Sequence, residues 1–211
     1  MQWTLVIPLK PLARAKSRLA AASGDGLRPG LALAFAQDTV AAAAACRAVR
    51  DVVVVTDDAL AGRELAALGA RIVPDEPGEG LNAALAHGAA FVRAERPKAA
   101  VAALNADLPA LRPAELARAL DSAVPFPRAF LPDAEGIGTT LLCAGGGTEL
   151  RPVFGTASRA GHSASGAVEL SLDGVDSVRR DVDTGEDLRA ALLLGVGPRT
   201  AETAAGLLIP D

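Results

Sequence analysis

The chain has 211 residues and a formal net charge of −4; half of it is hydrophobic, yet few residues are aromatic and none is Tyr. That suits one domain with an Ala, Val and Leu core. Its longest alanine tract, residues 41–45, falls far below the roughly 20 apolar residues of a membrane span, and the mild acidity argues against a general nucleic-acid binder.

TLVIP at residues 4–8 predicts a buried first strand, with no signal peptide ahead of it. A basic loop follows to about residue 30. Residues 31–46 predict an Ala-rich helix. VVVV at 52–55 is apolar on both faces, as in a parallel strand covered on both sides. Residues 58–68 predict helix, 70–73 strand, 81–94 helix and 99–104 strand. Pro113 stands in the first turn of a helix running to about residue 122. Short strands are predicted at 129–131 and 139–143. Residues 144–168, rich in Gly, Ser and Thr, take no clear assignment. A further strand is expected to end at Asp181 and Asp183, and residues 185–194 predict the last long helix. Strands alternating with helices imply βαβ units and a single three-layer α/β domain over residues 1–211. Cys46 and Cys143, the only cysteines, lack metal-ligand spacing and fit free thiols in a reducing, cytoplasmic setting.

In such sheets ligands bind beyond the carboxyl ends of the strands, so the segments that follow strands are the candidates. VIPLKPLARAKSRLA (6–20) gathers Lys10, Arg14, Lys16 and Arg18 without an acid, which suits a phosphate chain. It lacks the GxxxxGK[ST] pattern of a P-loop. PDEPGEGLNAAL (74–85) spells G-x-G-x-x-A through Gly78, Gly80 and Ala83. Asp75, Glu76 and Glu79 would repel a pyrophosphate there, and the turn is not the first of the chain. Asn82 either reads the edge of a base or sits at a helix start.

LNADLPAL (104–111) runs a buried strand into Asn105 and Asp107, where an acid needs a metal, a helix end or an arginine. RRDVDTGEDL (179–188) sets Asp181 and Asp183 on one side of an extended segment, where they repel. Helix capping by Thr184 or Asp183 explains one acid and not the pair. If Asp107 meets that pair, the all-oxygen set suits Mg²⁺, which is commonly shared with substrate phosphates. DAEGIGTTLL (133–142) and RPVFGTASRAGHSASGA (151–167) offer Thr139, Thr140, Gly155, Thr156, Ser158, Arg159 and Ser163 as a pocket for a small carboxylate or phosphate. His87 reads as a helix-surface residue and His162 as no more than a lining residue.

IPLKPLARAKSRL, VVVVTDD, PDEPGEGLNAAL, ALNADLPAL, DAEGIGTTLL, FGTASRAGHSASGA and RRDVDTGEDL, in this order over residues 4–198, resemble one family. It is the 2-phospho-L-lactate or phosphoenolpyruvate guanylyltransferases of deazaflavin coenzyme F-420 biosynthesis. The resemblance implies a nucleotide-diphospho-sugar transferase-like, Rossmann-like fold with a mixed, mostly parallel seven-stranded sheet. It implies transfer of GMP from GTP to the phosphate of a three-carbon acid, with release of pyrophosphate. Residue by residue, it implies that Asp107, Asp181 and Asp183 serve catalysis by holding Mg²⁺, two ions with substrates bound. Thr140, Gly155 and Ser158 would hold the acid. Lys10, Lys16, Arg18, Gly80 and Asn82 are the candidates for the nucleotide.

The Ala, Gly and Arg bias suggests a GC-rich genome, which within this family points to phosphoenolpyruvate over 2-phospho-L-lactate; 3-phosphoglycerate stays open. A molybdopterin or sugar-phosphate nucleotidyltransferase would carry a glycine-rich loop after its first strand, which KPLARAKSRL is not. A glycosyltransferase D-x-D would stand earlier in the chain than Asp181 and Asp183. A nucleotide-sensing module without turnover is the remaining alternative. No nucleic-acid or membrane partner is expected, and the oligomeric state is open.

Overall fold

The computed structural model describes residues 1–14 and 28–205. Lys16 and Arg18 therefore lie outside the described residues. The strands are β1 (Trp3–Pro8), β2 (Val49–Val55), β3 (Arg71–Val73), β4 (Ala100–Leu104), β5 (Arg128–Pro132), β6 (Thr139–Ala144) and β7 (Val168–Glu169). They form one sheet in the order β3-β2-β1-β4-β6-β5-β7. β3, β2, β1 and β4 run parallel, as do β5 and β7, while β6 is antiparallel to both of its neighbours. This is the mixed, mostly parallel seven-stranded sheet that the sequence resemblance implied.

The helices are α1 (Arg28–Ala44), α2 (Ala59–Ala66), α3 (Leu81–Glu95), α4 (Pro113–Ala123), α5 (Ser158–Ala164), α6 (Asp176–Arg179), α7 (Gly185–Leu194) and α8 (Pro198–Ala205). The sheet buries both faces, which explains why its central strands show no polar alternation. Leu5, Ile7, Val52, Val54, Ala102 and Leu104 face one apolar layer, shared with Val40 of α1 and Leu116 and Leu120 of α4. Val6, Val53, Val55, Val101 and Ala103 face the other, with Leu85, Ala89 and Val92 of α3. Gly88 lets α3 lie directly on the sheet: a Cβ there would stand 2.5 Å from Val6 Cγ1 and 2.8 Å from Val55 Cγ2.

The expected strand before Asp181 does not form. Residues 176–179 make the short helix α6 instead, and residues 180–184 are irregular. Side chains explain the change: Ser177 N–H donates to Glu115 of α4 at 2.9 Å, and Ser177 Oγ accepts from Arg112 N–H at 3.0 Å. The unassigned stretch 144–168 contains α5 and the start of β7. The C-terminal helix α8, not foreseen, is fastened by buried Asp38, which accepts from the N–H groups of Thr200 (2.8 Å) and Arg199 (3.3 Å). No helix among the described residues is long and apolar enough to cross a membrane.

Candidate active site

A cavity of about 640 Å³ opens where β1 and β4 end. Because β6 runs the other way, its first residues reach the same edge of the sheet. Pro8, Lys10, Asn105, Asp107, Asp133, Gly138, Thr139, Gly155, Ser158, Asp181 and Asp183 all line it. The crossover topology thus brings together segments separated by more than a hundred positions, on the side where open α/β sheets bind ligands.

One end of the cavity is acidic. Asp107 follows β4, and its backbone carbonyl accepts from Val182 N–H at 3.1 Å. That bond draws the 180–184 segment up to the end of β4. Burial pushes the Asp181 carboxyl up to about 7, reinforced by the charges of Asp107, Asp183 and Asp133. Asp181 therefore sits in the combined field of three other carboxylates, a position that a hard cation would relieve. Helix capping does not account for the pair. Thr184 caps α7 by accepting from Asp187 N–H, and Asp187 accepts from Thr184 N–H and Asp183 N–H. As the side chains stand, no group of three His, Cys, Asp or Glu among the described residues is arranged to hold a metal ion. The donor chemistry nonetheless fits one: the acids are all oxygen ligands, gathered on one wall, with Asp181 largely buried.

Asp133 is the residue that sequence reasoning missed. Its carboxylate accepts from Ile137 N–H (2.9 Å) and Gly138 N–H (2.7 Å), closing the 133–138 turn between β5 and β6. Its backbone carbonyl accepts from the Arg179 guanidinium at 2.9 Å. Ala134 N–H returns a bond to Arg179 O, also at 2.9 Å. The turn is thereby tied to the segment that delivers Asp181. An Asp opening a Gly-rich turn was the available signal.

The other wall is built from small residues. Gly155 has φ 156°, and a Cβ there would meet no atom within 4 Å, so its backbone faces open space. Ser158, at the start of α5, is buried and lines the cavity. Thr140 is fully buried, and its hydroxyl has no hydrogen-bond partner. Its carbonyl accepts from Asn105 N–H at 3.0 Å. Thr139 lines the cavity, and its hydroxyl lies 2.9 Å from Nδ1 of His162.

His162 is a wall-building residue. It is fully buried between Phe130 and Phe154, with ring centroids 5.6 and 4.9 Å away. Burial, with a smaller contribution from the Arg128 charge, lowers its pKa to about 4. Neither cysteine offers a thiolate: both are buried, and burial pushes both thiols up.

Several nucleotide-side expectations change. Lys10 lines the cavity and is exposed. Gly80, with φ 97°, opens α3, a conformation that favours glycine. Asn82 does not present its amide to a base. Its Nδ2 donates to Phe154 O (2.9 Å), and its Oδ1 accepts from Phe154 N–H (2.8 Å), so it clamps the Gly155 loop to α3. Arg159 is not an anion ligand in the cavity. It forms a fork with Glu169 (2.9 and 2.7 Å) and donates to Gly136 O at 2.8 Å, joining α5 to β7 and the 133–138 turn. Ser163 is exposed on α5, away from the lining.

Comparison with known proteins agrees with this geometry. The family described as "Guanylyl transferase CofC like" matches residues 3–207. The chain is 78% identical over 210 residues to a phosphoenolpyruvate guanylyltransferase of Streptomyces avermitilis, covering all of this chain and 97% of that protein. It is 63% identical over 205 residues to a protein of the same name from Thermomonospora curvata, covering 97% and 90%. Among solved structures, a putative nucleotide-diphospho-sugar transferase from Desulfovibrio desulfuricans superposes with a TM-score of 0.72 at 18% identity, covering 98% and 97%. A nucleotidyl transferase from Methanothermobacter does so with 0.65 at 22% identity, covering 92% and 97%. Those two likenesses speak for the fold, whereas the family match and the close relatives span the whole site; the chain belongs to the CofC-like guanylyl transferase family.

Proposed function

We propose that this enzyme transfers GMP from GTP to the phosphate of phosphoenolpyruvate, releasing pyrophosphate, in coenzyme F-420 biosynthesis. The observation that carries the reading is the division of one cavity into two walls. Asp107, Asp181 and Asp183 crowd one, and Gly155 and Ser158 line the other, while the partnerless Thr140 hydroxyl is buried outside the lining. The Streptomyces avermitilis and Thermomonospora curvata relatives carry phosphoenolpyruvate in their names, and the pathway follows from the sequence resemblance. The two buried thiols fit the reducing cytoplasm we assign it to.

In the reaction, an acceptor phosphate oxygen forms a bond to the α-phosphorus of GTP. The bond from that phosphorus to the oxygen bridging to the β-phosphate breaks, and pyrophosphate leaves with the electron pair. The acceptor oxygen is already anionic, so no general base is needed. That matches a cavity backed by a neutral, buried histidine and lined by neither cysteine. What the protein must supply is alignment and charge compensation. Asp107, Asp181 and Asp183 would hold Mg²⁺, which when bound screens the phosphate charges and acts as a Lewis acid. Lys10, and Lys16 and Arg18 from the same loop, would take triphosphate oxygens. Thr140, the Gly155 N–H and Ser158 would hold the carboxylate and so aim the acceptor phosphate.

The test is to offer GTP with phosphoenolpyruvate, 2-phospho-L-lactate and 3-phosphoglycerate in turn, with Mg²⁺, and to identify products by mass. A guanylylated phosphoenolpyruvate with equimolar pyrophosphate is expected. Guanylylation of another acid alone would reassign the acceptor. No pyrophosphate from any of them would overturn the reading.

A further inference from the structure

Of the two adjacent threonines that open β6, Thr139 is the one that lines the cavity and whose hydroxyl the fold orients. Strict alternation from Leu142, which shares an apolar layer with Phe130 and Phe154, would turn Thr139 to the opposite face. A register shift between Leu131 and Pro132, where Pro132 pairs with Thr139 and Leu131 with Leu141, interrupts that alternation. The hydroxyl of Thr139 consequently meets His162 at 2.9 Å, on the side where the ring packs against both phenylalanines.

The ring decides which way that bond runs. Val153 N–H donates to His162 Nε2 at 3.0 Å. A nitrogen that accepts carries no proton, so in the neutral ring the proton is on Nδ1. Nδ1–H then donates to Thr139 Oγ1. With that lone pair taken, the hydroxyl keeps its own proton to give away, and Thr139 lines the cavity. We propose that Thr139, held by His162 as a positioning residue, presents a hydroxyl donor to the anionic end of the acid substrate.

The arrangement deepens the functional reading above and rests on it. A free hydroxyl can donate or accept and so tolerates a neutral group as well as an anion. One that already accepts from a buried N–H cannot spend its proton on that neighbour and keeps it for an accepting partner, a carboxylate or phosphate oxygen. Thr139 is thus a specificity residue for the charge of the acid, alongside the Gly155 and Ser158 wall.

Three variants and one spectrum test this. Thr139→Val keeps the shape and removes the donor. It is expected to raise the phosphoenolpyruvate KM by about ten- to a hundredfold, the scale of one hydrogen bond to a charged group, with the GTP KM and melting temperature nearly unchanged. Thr139→Ser should restore most of the loss. His162→Phe keeps a ring but frees the hydroxyl, and should raise the same KM without touching that of GTP. Independently, the nitrogen spectrum of the labelled protein should show His162 protonated on Nδ1 and bare on Nε2, with no substrate present.

A bare Nδ1 overturns the proposal whatever the kinetics. So does a Thr139→Val enzyme that raises both KM values together, or a Thr139→Ser enzyme as poor as Thr139→Val. If the wild-type chain fails to guanylylate phosphoenolpyruvate, the functional reading and the substrate half of this proposal fall together, while the spectrum still decides the direction of the hydroxyl.

Discussion

Asp181 and Gly155 are opposite kinds of residue doing related work. Asp181 is a charge that the fold concentrates. Asp181→Asn keeps the size and removes the repulsion from Asp107, Asp183 and Asp133. In chelator, this variant should melt about 2–5 °C higher than the wild type, while its Mg²⁺-dependent turnover is lost. A lower melting point in chelator would mean that the acids do not oppose one another. Gly155 is an absence that the fold uses. A Cβ there would meet no atom within 4 Å beyond its chain neighbours, and Gly155 lines the cavity, so Gly155→Val is expected to intrude on the space an acid would fill. The phosphoenolpyruvate KM should rise at least tenfold with GTP binding kept, and stability should fall by about 1 kcal/mol from the glycine-type φ. Loss of GTP binding with acid binding kept would place these residues with the other substrate. The sequence disclosed the acids and Gly155 because carboxylates beyond buried strands and glycine in a loop each call for a physical reason. It hid Asp133, Asn82 and Arg159, because their partners are turn or backbone groups tens of residues away or are defined only once the chain is folded.

At the scale of elements, caps and helix contacts set where the loops leave the sheet. Asp58 caps α2 by accepting from Leu60 N–H (3.1 Å) and Ala61 N–H (3.0 Å), and also accepts from Leu12 N–H at 2.9 Å. One carboxylate thus orders a helix and the start of the basic loop that carries Lys10. The Ala61 and Leu12 N–H groups foremost hold the Asp58 carboxyl below its ordinary value. With the folded pKa depressed, the stabilisation is complete above about pH 4, the unfolded value, and is lost as pH falls through the folded value. Asp58→Ala should cost about 1–2 kcal/mol near neutrality, and denaturant titrations should show the gap to wild type closing in acid. A gap that widens in acid would contradict the assignment. Elements with strong periodic or capping signals were legible: α7 spans the predicted 185–194, and the predicted strands of the β1–β4 half are all present, β2 beginning three residues early and the others matching within one. The strand expected before Asp181 was not, because its identity was decided by Glu115 of α4 and by Arg112 just ahead of that helix. The short helix α5 was equally hidden among glycines and serines that speak for no element.

For the whole molecule, the level at which α3 rides on the sheet fixes the height of Asn82 and of the loop it clamps. Gly88→Ala should destabilise the fold by about 1–3 kcal/mol, because the clash with Val6 and Val55 outweighs the helix-propensity gain of about 1 kcal/mol. Thermal unfolding would check this; a more stable variant would mean that the two layers can separate without cost. The sheet itself was foreseen in class and strand number through resemblance, but alternation alone could not reveal that β6 opposes its neighbours.

That reversal has an evolutionary consequence. β5 rises to the cavity, the 133–138 turn crosses it and β6 descends, and Gly145 N–H closes the excursion by donating to Pro127 O at 2.9 Å. The chain then climbs back through Gly155 and Ser158 to β7. The groups assigned to the acid therefore occupy one uninterrupted stretch of polypeptide, about residues 127–170, that enters along β5 and leaves along β7, parallel to it. Recombination or a short run of mutations inside it can retarget the acceptor while the basic loop and the paired aspartates stay as inherited. Grafting that stretch from a relative with a different acid should transfer the preference for the acid and spare that for GTP. The seams to match are the β4–β6 ladder, with its bond from Asn105 N–H to Thr140 O, and the contacts of Asn82 with Phe154 and of Arg179 with Asp133.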